Sequence, residues 1–300
     1  MNGKARRLAI ATVSLTIALA STPRVLAAPA DAEVDALQMP AWLTRDGKRQ
    51  ALAVGTQLKN GDTIITGDGS RAHIRLADGS VVKLGENARL DLKGMGQTDG
   101  GQQRFTASLD LHRGAFRFTT PAEDKVRSAR SIDVKLLTLT ASIVGTDIWG
   151  KSTNDQELLA LIDGKINVTR QGETQITMSE PRTVYVAPRD APPSPVTAIT
   201  LAQLNAFAQE TELQPGAGVA SRSGSYKIYA SRTASREEAV AVYERLRDAG
   251  YAAAIQPATS GGSQIYQVRI VGILSEADGV AVAVKLRVQL GLQDVHVSLN

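Results

Sequence analysis

The sequence predicts a multidomain protein in which an all-β domain is followed by an α+β domain of the ferredoxin-like (βαββαβ) kind. The first is indicated by short apolar runs separated by Gly-Asp, Asp-Gly and Asn-Gly pairs, and the second by a C-terminal unit that occurs twice. The predicted segments are 1–27 (signal peptide), 28–49 (N-terminal lead-in), 50–187 (β domain), 188–223 (linker with a short helix) and 224–300 (α+β domain).

The N-terminus has the pattern of a secretory signal peptide. Lys4, Arg6 and Arg7 precede an apolar run over residues 8–20, and small residues lead up to a cleavage site after Ala27. The run is shorter than the roughly 20 apolar residues that span a bilayer. The pattern therefore predicts a periplasmic protein, and an uncleaved leader would instead tether the chain to the membrane by its N-terminus.

Charge argues against nucleic acid as a partner. The leader holds four basic residues and no acidic ones, which leaves 30 Lys and Arg against 30 Asp and Glu in the mature chain. Phosphate binding needs a net positive footprint, and this chain is formally neutral. Cysteine is absent, so neither disulfide nor thiolate chemistry is available.

Two hairpins are predicted in the β-rich region, each with one buried face. A three-residue loop at Asp78-Gly79-Ser80 needs Gly79 in the left-handed conformation, and a two-residue loop falls at Asp163-Gly164. The predicted cross-strand pairs are Leu76–Val82 and Ile74–Leu84 in the first hairpin, and Leu161–Ile166 and Leu159–Val168 in the second. Such units build either a sandwich or a coiled stack of short strands.

Several blocks of this region resemble a FecR-type domain, in the family's order. They are Gly55–Leu58, Gly61–Gly67, Ala72–Ser80, Leu109–Arg117, Val144–Asp147 and Ile162–Val168. The resemblance covers most of 50–187 and implies an extracytoplasmic β-scaffold, for which an envelope protein is a candidate partner. Known members relay an iron-siderophore signal to a sigma factor through a transmembrane helix and a cytoplasmic tail. A periplasmic signal-relay regulator of this type, sensing iron uptake, is the alternative function, although the sequence shows neither of those parts.

The segment 188–223 reads as a linker that begins with a stiff, proline-rich stretch. Leu201, Leu204 and Phe207 then follow at helical spacing. Their narrow apolar stripe either packs against a neighbouring domain or docks a partner, and packing is the favoured interpretation.

The C-terminal unit repeats after 40 residues: Tyr226 recurs as Tyr266 and Ser235 as Ser275. Each copy reads as strand, helix, strand, which predicts a four-stranded sheet with both helices on one side. The stretches Tyr226–Tyr229, Ser235–Ala239 and Tyr266–Gly272 resemble a SPOR domain over 225–299. This resemblance implies binding to peptidoglycan, at glycan strands stripped of their stem peptides.

Strand alternation assigns candidate glycan-binding residues to the uncovered face of that sheet. They are Lys227, Tyr229, Ser231, Gln267 and Arg269. An aromatic ring packs on sugar C–H surface, while amide and guanidinium groups donate hydrogen bonds to hydroxyl and acetamido oxygens.

No catalytic or metal site is predicted. His73, His112 and His296 lie far apart with no metal-ligand spacing, and no nucleophile-elbow or phosphate-loop motif occurs. The prediction is a non-enzymatic exported cell-envelope protein without a cofactor. Its SPOR domain binds peptidoglycan and its FecR-like domain serves as scaffold or partner-binding module.

Overall fold

The computed structural model describes residues 31–98, 104–121, 129–143 and 145–300, so the predicted signal peptide lies outside the described residues. The described chain is mostly β-sheet with a few helices and forms two domains. The strands of the β domain are β1 (Ala32–Gln38), β2 (Ala41–Arg45), β3 (Lys48–Ala51), β4 (Gln57–Leu58), β5 (Thr63–Thr66), β6 (Arg71–Leu76), β7 (Val81–Leu84), β8 (Arg89–Thr98), β9 (Arg104–Thr119), β10 (Ala129–Lys135), β11 (Leu139–Ile143), β12 (Asp147–Ser152), β13 (Gln156–Asp163), β14 (Ile166–Arg170), β15 (Ile176–Met178), β16 (Thr183–Pro188) and β17 (Thr197–Ala198). The remaining elements are α1 (Leu201–Thr211), β18 (Val219–Ser221), β19 (Tyr226–Thr233), α2 (Arg236–Asp248), β20 (Ala253–Ser260), β21 (Ser263–Ile273), α3 (Glu276–Leu290) and β22 (His296–Leu299).

The β domain is a sandwich of two sheets. The first sheet runs β4-β1-β6-β7-β9-β12-β13-β16-β17, and the second runs β3-β2-β5-β8-β9-β10-β11-β14-β15. Buried apolar residues from both sheets, such as Ile74 and Phe116 in the first and Ile64 and Leu109 in the second, form one core. Burying these side chains between the sheets is the main favourable contribution to the stability of the domain.

Strand β9 belongs to both sheets because the chain turns a corner at Gly114. This residue has a φ of 88°, and a Cβ placed on it would lie 2.5 Å from the Cα of Ala88. Only glycine fits such a corner. The predicted left-handed conformation of Gly79 is confirmed, since its φ is 84°.

The first predicted hairpin forms, but its register is shifted by two residues. Ile74 pairs with Val82 rather than with Leu84. The loop is centred on Asp78 instead of Gly79, because the N–H of Leu76 donates to the carbonyl of Ser80 across 2.8 Å. A shift of two residues keeps every side chain on its predicted face, so the buried set is unchanged.

The second predicted hairpin is wrong. β13 pairs with β12 and β16, whereas β14 pairs with β11 and β15. The Asp163-Gly164 turn therefore carries the chain from one sheet to the other. Leu159, Leu161, Ile166 and Val168 are all buried, as predicted, but they face each other across the core. Strand alternation indicates only which face of a strand is buried. Two strands that face each other across the core bury their apolar faces just as two strands paired in one sheet do, so alternation does not distinguish the two arrangements.

Two segments predicted to lie outside the domains are part of them. In the predicted lead-in, β1 pairs with β6 and β2 pairs with β5. In the predicted linker, α1 packs on the β domain, with Leu204 and Phe207 against a small cluster that includes Trp149. The rings of Phe207 and Trp149 stack with centroids 4.0 Å apart. The packing interpretation of this helix is therefore the one observed.

The C-terminal domain has a four-stranded antiparallel sheet in the order β20-β21-β19-β22. Helices α2 and α3 pack against it, and their buried residues Leu246 and Leu286 meet Ile228, Val268 and Ile270 of the sheet. Both helices begin at a serine cap with acidic residues in the first turn, as their dipoles favour.

Strand β18 joins the two domains. It pairs with β1 through residues 219–221 on one side and with β21 through Ala220 and Ile273 on the other. Met39, only 2% exposed, lies in the core of the C-terminal domain although it follows β1. The indole N–H of Trp42 donates to the carbonyl of Asp248 at 3.0 Å. The domains therefore dock directly.

Candidate functional site

The candidate site is the face of the C-terminal sheet that the buried core does not occupy. We call it the open face and define it by six residues: Lys227, Tyr229, Arg232, Gln267, Arg269 and His296. The alternate positions Ile228, Val268 and Ile270 are buried on the helix side. The side chains of the open face are partly or largely exposed, as strand alternation predicts.

Tyr229 occupies the middle of the open face. It pairs with Arg269 on β21 and with His296 on β22. Its ring stacks with the imidazole of His296 at a centroid distance of 4.8 Å and an interplanar angle of 22°. The three side chains form one row across three adjacent strands, which holds the tyrosine ring in a defined orientation.

Cations flank the tyrosine ring along β19. The Nζ of Lys227 and the Cζ of Arg232 each lie 5.6 Å from the ring centroid. Both are within the range of a cation–π interaction. None of the six open-face residues is acidic, so the face presents donors and positive charge around an aromatic centre.

A β-bulge changes which residues reach the open face. The register of β19 shifts between Tyr229 and Ser231, so that Ser231 pairs with Val268 and Arg232 pairs with Gln267. Because the inserted residue reverses the alternation, the predicted place of Ser231 belongs to Arg232. Of the five predicted residues, the structure brings together Lys227, Tyr229, Gln267 and Arg269 and separates Ser231 from them.

Sequence reasoning also missed His296. Strand alternation predicts that His296 is exposed on the last strand, but nothing in the sequence shows that β22 sets it against Tyr229. The same alternation predicts that Leu299 is buried, which is wrong, since Leu299 is 60% exposed. β22 is an edge strand, and Leu299 lies at its end, opposite Tyr226 of β19.

Arg269 has an unused hydrogen-bond donor. Its Nε is buried and has no hydrogen-bond partner among the described residues. A buried donor without a partner costs about 1–3 kcal/mol. A ligand oxygen placed on the open face would remove that cost, which makes Arg269 the strongest single donor candidate of the six.

A charged cluster holds the end of α1 on the outer side of the first sheet. Arg117 makes a bidentate pair with Asp147 at 2.9 and 2.7 Å, and this hydrogen bonding raises the pKa of Arg117 against the effect of burial. Burial disfavours ionisation of Glu212, yet the hydrogen bond from Lys83 at 2.7 Å and the neighbouring positive charges hold its pKa below the ordinary value. Burial lowers the pKa of His73, whose Nε2–H donates to the carbonyl of Thr211 at the end of α1 at 3.1 Å.

The described residues contain no group of three or more His, Cys, Asp or Glu side chains placed to hold a metal ion. His112 bonds to Asp91 at 2.8 Å, His73 bonds to the backbone, and His296 stacks on Tyr229, so the three histidines lie in separate surroundings. In the part of the chain that the structure covers, no helix is both long and apolar enough to cross a bilayer.

Comparisons with known proteins find two families along the chain. The model for FecR protein matches residues 62–167, and the model for the SPOR domain matches residues 222–298. Two crystal structures of a proposed anti-sigma factor from Parabacteroides distasonis, at 1.65 and 2.50 Å resolution, have a TM-score of 0.41 with the chain. They are 12% and 14% identical to it, and they cover 68% and 79% of this chain and 98% and 97% of their own. A search of curated proteins gives no significant match.

Proposed function

Because the chain carries a FecR domain followed by a SPOR domain, we propose that it is a non-enzymatic, exported cell-envelope protein that binds peptidoglycan. SPOR domains bind peptidoglycan, and both families are envelope-associated and non-catalytic. The signal peptide predicted over 1–27 supports a periplasmic location for the mature protein.

The proposed ligand is the glycan strand stripped of its stem peptides, and the proposed binding site is the open face. The observation that carries this assignment is the row His296–Tyr229–Arg269, with the buried Nε of Arg269 lacking a partner among the described residues. A sugar ring offers C–H surface to Tyr229 and offers hydroxyl and acetamido oxygens to the donors around it.

We further propose that the C-terminal domain is ferredoxin-like. The element order strand–helix–strand–strand–helix–strand and the sheet order β20-β21-β19-β22 support this assignment, since the first and third strands of the unit are central neighbours. That order places Tyr229 and Arg269 side by side, which a different strand order would not do.

The FecR domain is proposed to act as a scaffold or as a module for an envelope protein partner. The FecR match itself favours the second candidate function, a periplasmic signal-relay regulator of the iron-uptake type. The two functions make different predictions for sigma-factor activity. A relay regulator changes the activity of a sigma factor when its partner is present, whereas a wall-binding scaffold does not.

Sedimentation of the mature protein with purified sacculi, with and without amidase pretreatment, tests the proposal. We expect amidase, which removes stem peptides, to increase the amount bound. Arg269→Ala and Tyr229→Ala should each weaken binding by about 1–3 kcal/mol, through the loss of a charge-assisted bond and of ring contact. Neither variant should melt early.

Val268→Ala is the matched control on the opposite face of the same strand. It is fully buried, so truncation should lower the free energy of unfolding by about 1–3 kcal/mol. Binding at a temperature where the variant is folded should stay at the parent level. Parent-like binding by both open-face variants would place the site elsewhere.

A further inference from the structure

A cleft of about 510 Å³ opens on the β domain, away from the open face. It lies where β9 turns its corner at Gly114 and passes from one sheet to the other, beside the end of α1. Its polar lining residues include Arg71, Glu86, Asn87, Arg113, Asn154 and Glu210. The volume is within the range of small-molecule binding sites, so the cleft is large enough for a small ligand.

Arg71 is the buried donor of this cleft. The residue is 6% exposed, and its Nη2 donates to the carbonyl of Gln209 at 3.0 Å. Its Nε is buried and has no hydrogen-bond partner in the described part of the chain. A charged group that is buried without full hydrogen bonding is costly, which makes the position suited to an acceptor supplied by a ligand.

The other charges of the cleft are already engaged, with one exception. Lys151 pairs with Glu210 at 2.9 Å, and the carboxylate of Glu86 accepts from the backbone N–H of Gly69 at 2.9 Å. Arg113 lies on the exposed rim, and within the described residues no carboxylate is in ion-pair distance of it or of Arg71. Three cations and two carboxylates give the cleft a small positive excess, which suits one negative charge better than two.

We propose that this cleft is a second binding site, for a ligand that carries a single carboxylate next to amide groups, as the C-terminus of a peptide does. The guanidinium groups of Arg71 and Arg113 receive the carboxylate, because planar guanidinium donors match carboxylate geometry. The side-chain amides of Asn87 and Asn154 both donate and accept, so they pair with the peptide groups behind the terminus. A phosphate fits less well, since a dianion would face Glu86 and Glu210.

The test uses the full mature protein and two probes that differ only in charge, N-acetyl-glycylglycine and its C-terminal amide. Binding is followed by titration with backbone amide NMR, and acetate serves as a third probe. We expect the acid to bind with a Kd in the millimolar range and the amide to bind at least about tenfold more weakly. Signals near the cleft should shift and those of the open face should not.

Arg113→Gln should reduce the affinity for the acid about tenfold without unfolding the protein, because its side chain is on the rim. Arg71→Gln should do the same, and its melting curve shows whether the fold is retained. Arg75→Gln is the control, since it lies on the same strand as Arg71 and pairs with Asp35 outside the cleft. Equal binding of acid and amide, no binding of the acid, or an unaffected Arg113→Gln would overturn the proposal. Acetate binding as tightly as the dipeptide would overturn the assignment to a peptide terminus.

Discussion

The β-bulge in β19 leads to a prediction that separates two adjacent residues. Arg232 reaches the open face beside Tyr229, whereas Ser231 pairs with Val268 and leaves it. Arg232→Ala should therefore weaken binding to peptidoglycan, and Ser231→Ala should leave it unchanged. Strand alternation without the bulge predicts the opposite result, in which Ser231→Ala weakens binding and Arg232→Ala leaves it unchanged.

The expected loss follows from the surroundings of Arg232. A cation–π interaction at an exposed site contributes about 0.5–1 kcal/mol, and a hydrogen bond from a charged donor about 1.5–3 kcal/mol. Because Arg232 is exposed, water competes for its donors, and we expect a net loss of about 1–2 kcal/mol. This equals roughly a 5- to 30-fold increase in Kd. Ser231→Ala should change binding by less than about 0.5 kcal/mol.

The assay is a binding isotherm on amidase-treated sacculi for the parent and both variants, at two salt concentrations. Higher salt should weaken the parent more than Arg232→Ala, because the variant lacks a charge that salt screens. Melting curves for all three proteins should coincide. A larger loss for Ser231→Ala than for Arg232→Ala would show that the bulge does not form in the bound state.

Three further predictions concern stability, each measured by urea unfolding. Burial lowers the pKa of His73 in the folded protein. Below about pH 6.5 the imidazole is therefore protonated in the unfolded chain but still neutral in the folded one, so the free energy of unfolding should fall as the pH decreases through that value. His73→Gln should remove part of this dependence, and an unchanged profile would contradict it. Asp278→Ala deletes the acceptor of three backbone N–H groups at 2.8–3.1 Å and should cost about 3 kcal/mol, whereas Asp278→Asn should cost less. Asp78→Ala removes the carboxylate 3.2 Å from the buried Arg130 and should cost about 3 kcal/mol, so a change below 1 kcal/mol would refute the pairing.

The sequence predicted the parts of the fold that depend on local periodicity. The duplicated C-terminal unit, with Val268 and Ile270 buried and Arg269 between them, is observed as predicted. The family blocks correctly indicated a FecR domain followed by a SPOR domain. In each case the information lies within a few residues of the position it describes.

The errors share a different physical origin, since each depends on which strands and segments come into contact and not on local periodicity. No local signal marks the bulge that replaces Ser231 with Arg232 on the open face. The turn at Asp163 looks like a hairpin, but β13 pairs with the preceding strand β12 and β14 pairs with the following strand β15, so the two strands that flank the turn lie in different sheets. The proline-rich segment after Pro188 looks like a free linker because the stacking of Phe207 on Trp149 cannot be read from composition.

The sharing of β18 between two sheets has a consequence for geometry at the wall. A flexible tether would let the sandwich sample every direction around a bound glycan strand, whereas a shared strand fixes both domains in one frame. Attachment through the open face would then determine which side of the sandwich is turned toward the wall and which is turned away. A partner of the β domain would meet the same surface on every attached molecule, at a constant height above the glycan layer.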